Sequence, residues 1–137
     1  MIRPIVTDPL VLARPSAPAE KSDRKTARDL ADTLRAHRDR CAGMAANMIG
    51  ESRRIIAVFD RGALLVMVNP VILRRSDEVY EAEEGCLSLP GTRRTLRARW
   101  VEMEWTPLKG RKQRARFTGF TAEVIQHEMD HLEGILI

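Results

Sequence analysis

Apolar residues change their spacing along this chain, and the changes mark out its elements. Ala27, Leu30, Ala31 and Leu34 recur at i, i+3, i+4 and i+7 with charges on the opposite face, which predicts an N-terminal helix from about Ser22 to His37. Before it, the Pro- and Ala-rich stretch Arg14 to Lys21 reads as a loop. After it, Cys41 to Gly50 is small, apolar and flanked by glycine, and reads as a tight packed loop. Ile55 to Phe59 and Leu64 to Asn69 are apolar runs around an Arg61-Gly62 turn and predict two buried strands, the second broken by Asn69-Pro70. Val79 to Leu89 reads as extended. Val101, Met103 and Trp105 alternate with Glu102, Glu104 and Thr106, as in a half-buried strand, and Arg114 to Phe117 pairs back after a turn at Leu108 to Gly110. A last helix is expected from an N-cap at Thr121 to about Glu133, stopped by Gly134. The expected fold is α+β, with antiparallel sheets packed around that late helix and an additional N-terminal helix.

The chain has 137 residues, of which 44% are hydrophobic, which fits one domain spanning 1–137. Two cysteines are too few for a disulfide framework, no apolar run approaches the ~20 residues of a membrane span, and the first twelve residues lack a signal-peptide core. The expectation is a cytoplasmic protein with no membrane partner. The net charge of +4 gathers at Arg93, Arg94, Arg97 and Arg99 and at Lys109, Arg111, Lys112, Arg114 and Arg116. With only 4% aromatic residues to stack bases, these clusters read as solvated strand edges and a turn, and no specific nucleic acid is expected.

The chemistry concentrates in His127-Glu128-Met129-Asp130-His131. Two histidines four apart on a helix share one face and can reach one metal ion. Glu128 is offset by about 100° from His127, so it stands beside the metal as a candidate general acid/base. Val124, Ile125 and Leu132 embed the motif in an amphipathic pattern, which argues against a chance occurrence on a solvated face. Catalytic sites of this kind have three protein ligands. The sequence shows six residues after His131, with Ile137 where a third histidine would fall, so the third ligand is sought upstream. Cys86, beside Gly85 in Glu84-Gly85-Cys86-Leu87-Ser88, is the candidate. A buried, inert cysteine is the competing reading, and Cys41 is assigned to packing.

Three segments in this order resemble the peptide deformylase family. Its Glu-Gly-Cys-Leu-Ser segment stands intact at Glu84 to Ser88, and its Gln-His-Glu-x-Asp-His helix stands intact at Gln126 to His131. Its Gly-x-Gly-Leu-Ala-Ala-x-Gln loop appears altered, as Cys41-Ala42-Gly43-Met44-Ala45-Ala46-Asn47-Met48. The resemblance implies a hydrolase of linear amides (EC 3.5.1.88-type) that takes the N-formyl group from the N-terminal methionine of newly made peptides and releases formate. Cys86, His127 and His131 would hold one divalent ion, Fe(II) in the cell, with Zn, Ni or Co as occupants of a purified sample. Glu128 would accept a proton from the attacking water and return it to the leaving amine. The Leu87 N–H would stabilise the oxyanion. The backbone around Gly43, Met44 and Gly85 would pair with the formyl-methionyl nascent peptide, and Met44, Val124 and His127 would line its methionine pocket. A transient ribosome contact would accompany such a substrate.

The altered loop bears on this expectation. The family glutamine falls at Met48, whose thioether donates no hydrogen bond. Loss of one oxyanion donor costs about 10²–10³ in rate. Asn47 offers an adjacent amide, which would require the loop to rotate. The alternatives are therefore a deformylase-like paralogue acting on another formyl or acyl amide, or a non-catalytic, metal-stabilised peptide-binding protein. Glu128 counts against the last, because a structural metal needs no acid/base. Glu123, before Val124, is expected on the solvated face of its helix, and His37 on the exposed face of the first helix.

Overall fold

The Ile55-Ile56-Ala57-Val58 run is apolar at every position because its strand is covered on both faces. Ile55 and Ala57 join one buried cluster with Leu12, Leu30 and Leu34, while Ile56 and Val58 join another with Val124, Ile125 and Leu132. The computed structural model describes residues 1–136, so Ile137, the last residue of the expected 1–137 domain, lies outside the described residues. In chain order the elements are α1 (Pro9–Leu12), α2 (Arg24–Ala36), β1 (Gly43–Ala45), β2 (Ile55–Asp60), β3 (Ala63–Arg75), β4 (Val79–Cys86), β5 (Leu89–Ala98), β6 (Trp100–Thr106), β7 (Gln113–Thr118) and α3 (Gly119–Leu132). An antiparallel five-stranded sheet, ordered β1-β2-β3-β6-β7, lies between α2 and α3. The β4–β5 hairpin forms a separate two-stranded sheet. The α+β expectation, with antiparallel strands around a late helix, describes this architecture.

Several local expectations are corrected. Asn69-Pro70 does not end its strand. β3 runs through both residues because a register shift between Val68 and Val71 accommodates the missing proline N–H as a bulge. Asn69 takes φ 51° there, held by hydrogen bonds from the Ala19 N–H at 2.7 Å and to the Ala19 carbonyl at 3.1 Å. The extended run from Val79 does not continue to Leu89, because Leu87-Ser88 turns a hairpin into β5. β5 escapes pattern reading because its middle is a row of exposed polar residues. The N-cap of α3 is Thr118, and the Thr121 hydroxyl instead donates to Asp60 at 3.1 Å. Cys41 to Gly50 is β1 followed by a 3-10 turn, Ala46–Ile49, closed by Gly50 at φ 89°. His37 caps α2, with Nδ1 2.8 Å from the Thr33 carbonyl, and is half-buried. The short helix α1 has no counterpart in the apolar pattern. Asp8 caps it, accepting from the Leu10 N–H at 2.9 Å, and the helix buries Leu12.

β1 is an edge strand of its sheet, and β4 passes the same region from the other side. Between them, above the middle of α3, lies the cleft described next.

Candidate metal centre and active-site cleft

Helix α3 brings His127 and His131 onto one buried face, with their Nε2 atoms 3.1 Å apart. The end of β4 brings Cys86, whose Sγ lies 3.5 Å from His131 Nε2. One ligand atom from each of the three residues lies within 4.8 Å of the others, so sulfur and two imidazole nitrogens converge on a common point. This donor set suits a tetrahedral, thiolate-tolerant divalent ion with a fourth position open. The three residues that spacing and motif single out as metal ligands are thus brought together.

A chain of charged groups supports His127 from behind. Its Nδ1 hydrogen-bonds to Glu84 Oε1 at 2.8 Å, which leaves Nε2 to face the ligand cluster. Arg97 grips the same carboxylate with two bonds, at 2.7 and 2.9 Å, and reaches Asp130 at 2.6 Å. Arg97 is 4% exposed, which corrects the reading of the Arg93–Arg99 cluster as wholly solvated. Spacing along the sequence does not separate Arg97 from its neighbours. Alternation puts Glu84 on the buried side of β4, but its register partner on β5 is the exposed Arg93, and Arg97 reaches Glu84 from four residues further along the strand.

Burial pushes the Glu84 carboxyl up, but the bonds from His127 and Arg97 outweigh it and hold it at about 2. Burial likewise opposes charge on His127, yet Cys86 and Glu84 raise it to about 10. His131 is pushed down to about 4 by burial and by the neighbouring His127 charge. A metal ion would therefore displace a proton from His127 on binding.

Glu128 is 3% exposed, and burial raises its carboxyl to about 7. Among the described residues its Oε1 has no hydrogen-bond partner, nor does His131 Nδ1. A buried carboxylate oxygen without a partner beside three convergent ligand atoms fits a site built to hold a metal and a water. Gly43 explains how β1 comes so close to this helix. A Cβ there would lie 2.5 Å from Val124 Cγ1 and 3.2 Å from Glu128 Oε2.

The cleft has a volume of 510 Å³, within the range of ligand sites. Gly43, Gly85, Cys86, Leu87, Val124, His127 and Glu128 all line it. Leu87 sits at the hairpin turn, and its N–H has no hydrogen-bond partner among the described residues. Met44 does not line the cleft. Its side chain is fully buried in the core, so only its backbone lies in the β1 edge region.

Neither candidate oxyanion side chain reaches the cleft. Met48 is 1% exposed, and its sulfur accepts from the Ala45 N–H at 3.5 Å. The Asn47 amide is buried and donates to the His131 carbonyl at 2.8 Å, tying the 3-10 turn to the end of α3. Two residues assigned elsewhere do face the cleft. Cys41 is half-buried there, its thiol donating to the Gly43 carbonyl at 2.8 Å and pushed up to about 12 by burial. Glu123 is not a solvated helix residue, since it lines the cleft and accepts from the Tyr80 hydroxyl at 2.8 Å.

Comparisons with known proteins agree with this geometry. The polypeptide deformylase family model matches residues 2–137. A peptide deformylase of Clostridium beijerinckii is 51% identical over 138 residues, covering 100% of both chains. One from Dictyoglomus thermophilum is 40% identical over 143 residues, covering 100% of this chain and 91% of that protein. The class I type b peptide deformylase of Acinetobacter baumannii, solved bound to Met-Ala-Ser, superposes with a TM-score of 0.89 at 32% identity, covering 99% of this chain and 97% of that one. With the family model matched from residue 2 onward and a full-length relative above half identity, this chain belongs to the polypeptide deformylase family.

Proposed function

We propose that the protein hydrolyses the N-formyl group from the N-terminal methionine of newly made peptides, releasing formate and a free amine. The observation that carries this reading is the unpartnered, buried Glu128 carboxylate beside the Cys86–His127–His131 cluster. A structural metal site would have no use for such a group. Cys86, His127 and His131 would hold one divalent ion, Fe(II) in the cell and Zn, Ni or Co in a purified sample. When bound, that ion supplies Lewis-acid polarisation and a nucleophilic water near neutral pH.

The remaining work falls to the chain. Glu128, raised towards neutrality by burial, takes a proton from water and delivers it to the leaving nitrogen. The Leu87 N–H donates to the developing oxyanion, and among the described residues neither Asn47, whose amide is held by the His131 carbonyl, nor Met48 lines the cleft to share that task.

Backbone geometry supports a peptide substrate. The Phe59 N–H donates to the Ala42 carbonyl at 3.0 Å, and Gly43 is the next residue along β1. Antiparallel alternation then turns the Gly43 N–H and C=O away from β2, towards the free edge. A formyl-methionyl peptide entering as an added strand would lie between Gly43 and Gly85. Its methionine side chain would rest near Val124 and His127. Such a substrate would be met in the cytoplasm, near the ribosome.

Formate release from formyl-Met-Ala-Ser by the anaerobic, ferrous-loaded protein tests this reading. Release of formate, without acetate from acetyl-Met-Ala-Ser, supports it. Equal or faster cleavage of the acetyl peptide moves the substrate to another acyl amide, and no release from either leaves a binding role.

A further inference from the structure

The cleft has an open end whose residues the reaction at Glu128 does not use. Arg40 lines the cleft and also lines a second cavity beside it, of 430 Å³, together with Arg38, Phe59 and Phe120. Phe120 lines both cavities and a third against β7, and the residue is 67% exposed. A groove therefore continues from the catalytic end, past Arg40 and over Phe120.

The burial gradient fixes the direction of a strand bound at β1. Met44, Ala45 and Ala46 are fully buried, Cys41 and Ala42 are half-buried, and Arg40 is exposed. A peptide whose first residue sits at Gly43 and Glu128 is blocked on the Met44 side and runs along this edge towards Arg40. At about 3.3 Å per extended residue, the peptide's third residue lies about 7 Å along this edge from the first, past Ala42 and towards Cys41 and Arg40.

The charges along this path differ in one respect. Glu83 accepts from the Thr92 hydroxyl, Glu84 is held by Arg97 and His127, and Glu123 accepts from Tyr80. Arg38 is stacked over Phe59 and donates to the Gly62 carbonyl. The Arg40 side chain has no ion pair or hydrogen bond among the described residues, although it lines the cleft. From this geometry we infer that Arg40 is a specificity residue, which selects peptides presenting a carboxylate at about the third residue as they pass towards Phe120.

This inference rests on the peptide-strand reading of the cleft, so its test uses both turnover and binding. Formyl-Met-Ala-Asp-amide, formyl-Met-Ala-Lys-amide, and formyl-Met-Ala-Ser as free acid and as amide are compared by kcat/KM. The wild type is expected to favour Asp over Lys by about five- to tenfold, the size of an open charge pair reversed in sign. Raised salt shrinks this ratio. Arg40→Ala brings the ratio near one, and Arg40→Glu inverts it. An advantage of the amidated Asp peptide identifies a side-chain carboxylate; an advantage only of the Ser free acid identifies the peptide's own terminus. Calorimetry of the zinc-loaded protein with unformylated Met-Ala-Asp-amide and Met-Ala-Lys-amide reads the same preference even if no formate is released. A preference for Lys, a ratio unmoved by Arg40→Glu, or no binding of either product peptide overturns the inference.

Discussion

On the α3 and β4 side of the cleft, Asp130, Arg97, Glu84 and His127 are tied in sequence by hydrogen bonds of 2.6 to 2.9 Å. On the opposite side, residues 41–48 present a glycine backbone and a thiol, and their only amide side chain faces the protein interior. The first wall is preorganised by charge and orients His127 beside Cys86 and His131. The second is preorganised by close packing and offers backbone edges. A substitution in the first wall should therefore change metal binding and proton transfer, and one in the second should change mainly stability.

The largest effect is expected from Cys86→Ala, which leaves two ligands and abolishes both stoichiometric metal and formate release. Metal analysis of the purified variant checks it, and a full complement of metal would break the assignment of Cys86. Next is Glu84→Gln. It leaves buried Arg97 with Asp130 as its remaining carboxylate and weakens the hold on the His127 ring, so unfolding in urea should show a loss of about 1–3 kcal/mol. Metal affinity should fall about 10–100-fold, as for other supporting groups behind a ligand histidine.

Acid titration sharpens the same contrast. Glu84 has a folded value of about 2, below its ordinary 4.5. Its contribution to stability is therefore present above about pH 4.5 and is lost as pH falls through about 2. Urea midpoints of chelator-treated protein across that window should slope downward towards acid, and Glu84→Gln should flatten the slope.

Smaller effects belong to the second wall. Asn47→Ala strands the His131 carbonyl and should cost about 1–3 kcal/mol. Met48→Gln buries an amide where a thioether sits and should cost about 1–2 kcal/mol without raising the rate. A rate gain of tenfold or more in Met48→Gln would show that this side chain reaches the oxyanion after all.

The first wall is legible in the sequence and the second only partly so. Helical spacing places His127, Glu128 and His131 on one face whatever surrounds them, and Cys86 stands beside a glycine in an intact segment. Arg97 is hidden there because four arginines within seven residues look alike, and strand alternation puts the exposed Arg93 on the same side of β5 as the buried Arg97. In residues 41–48 no period exists to read. Side-chain direction is set there by a 3-10 turn and by contacts with Leu12 and α3, which are distant in sequence. For the same reason β3 conceals its passage through Pro70, since the bulge depends on Asn69 bracketing Ala19 fifty residues away.

The central claim is that Glu128 performs proton transfer beside a metal it does not bind. Glu128→Ala tests it when metal content and formate release are measured on the same ferrous-loaded sample. One metal per chain is expected, as in the wild type, with release reduced by about 10²–10⁴. Activity within tenfold of the wild type at full metal occupancy would contradict the claim.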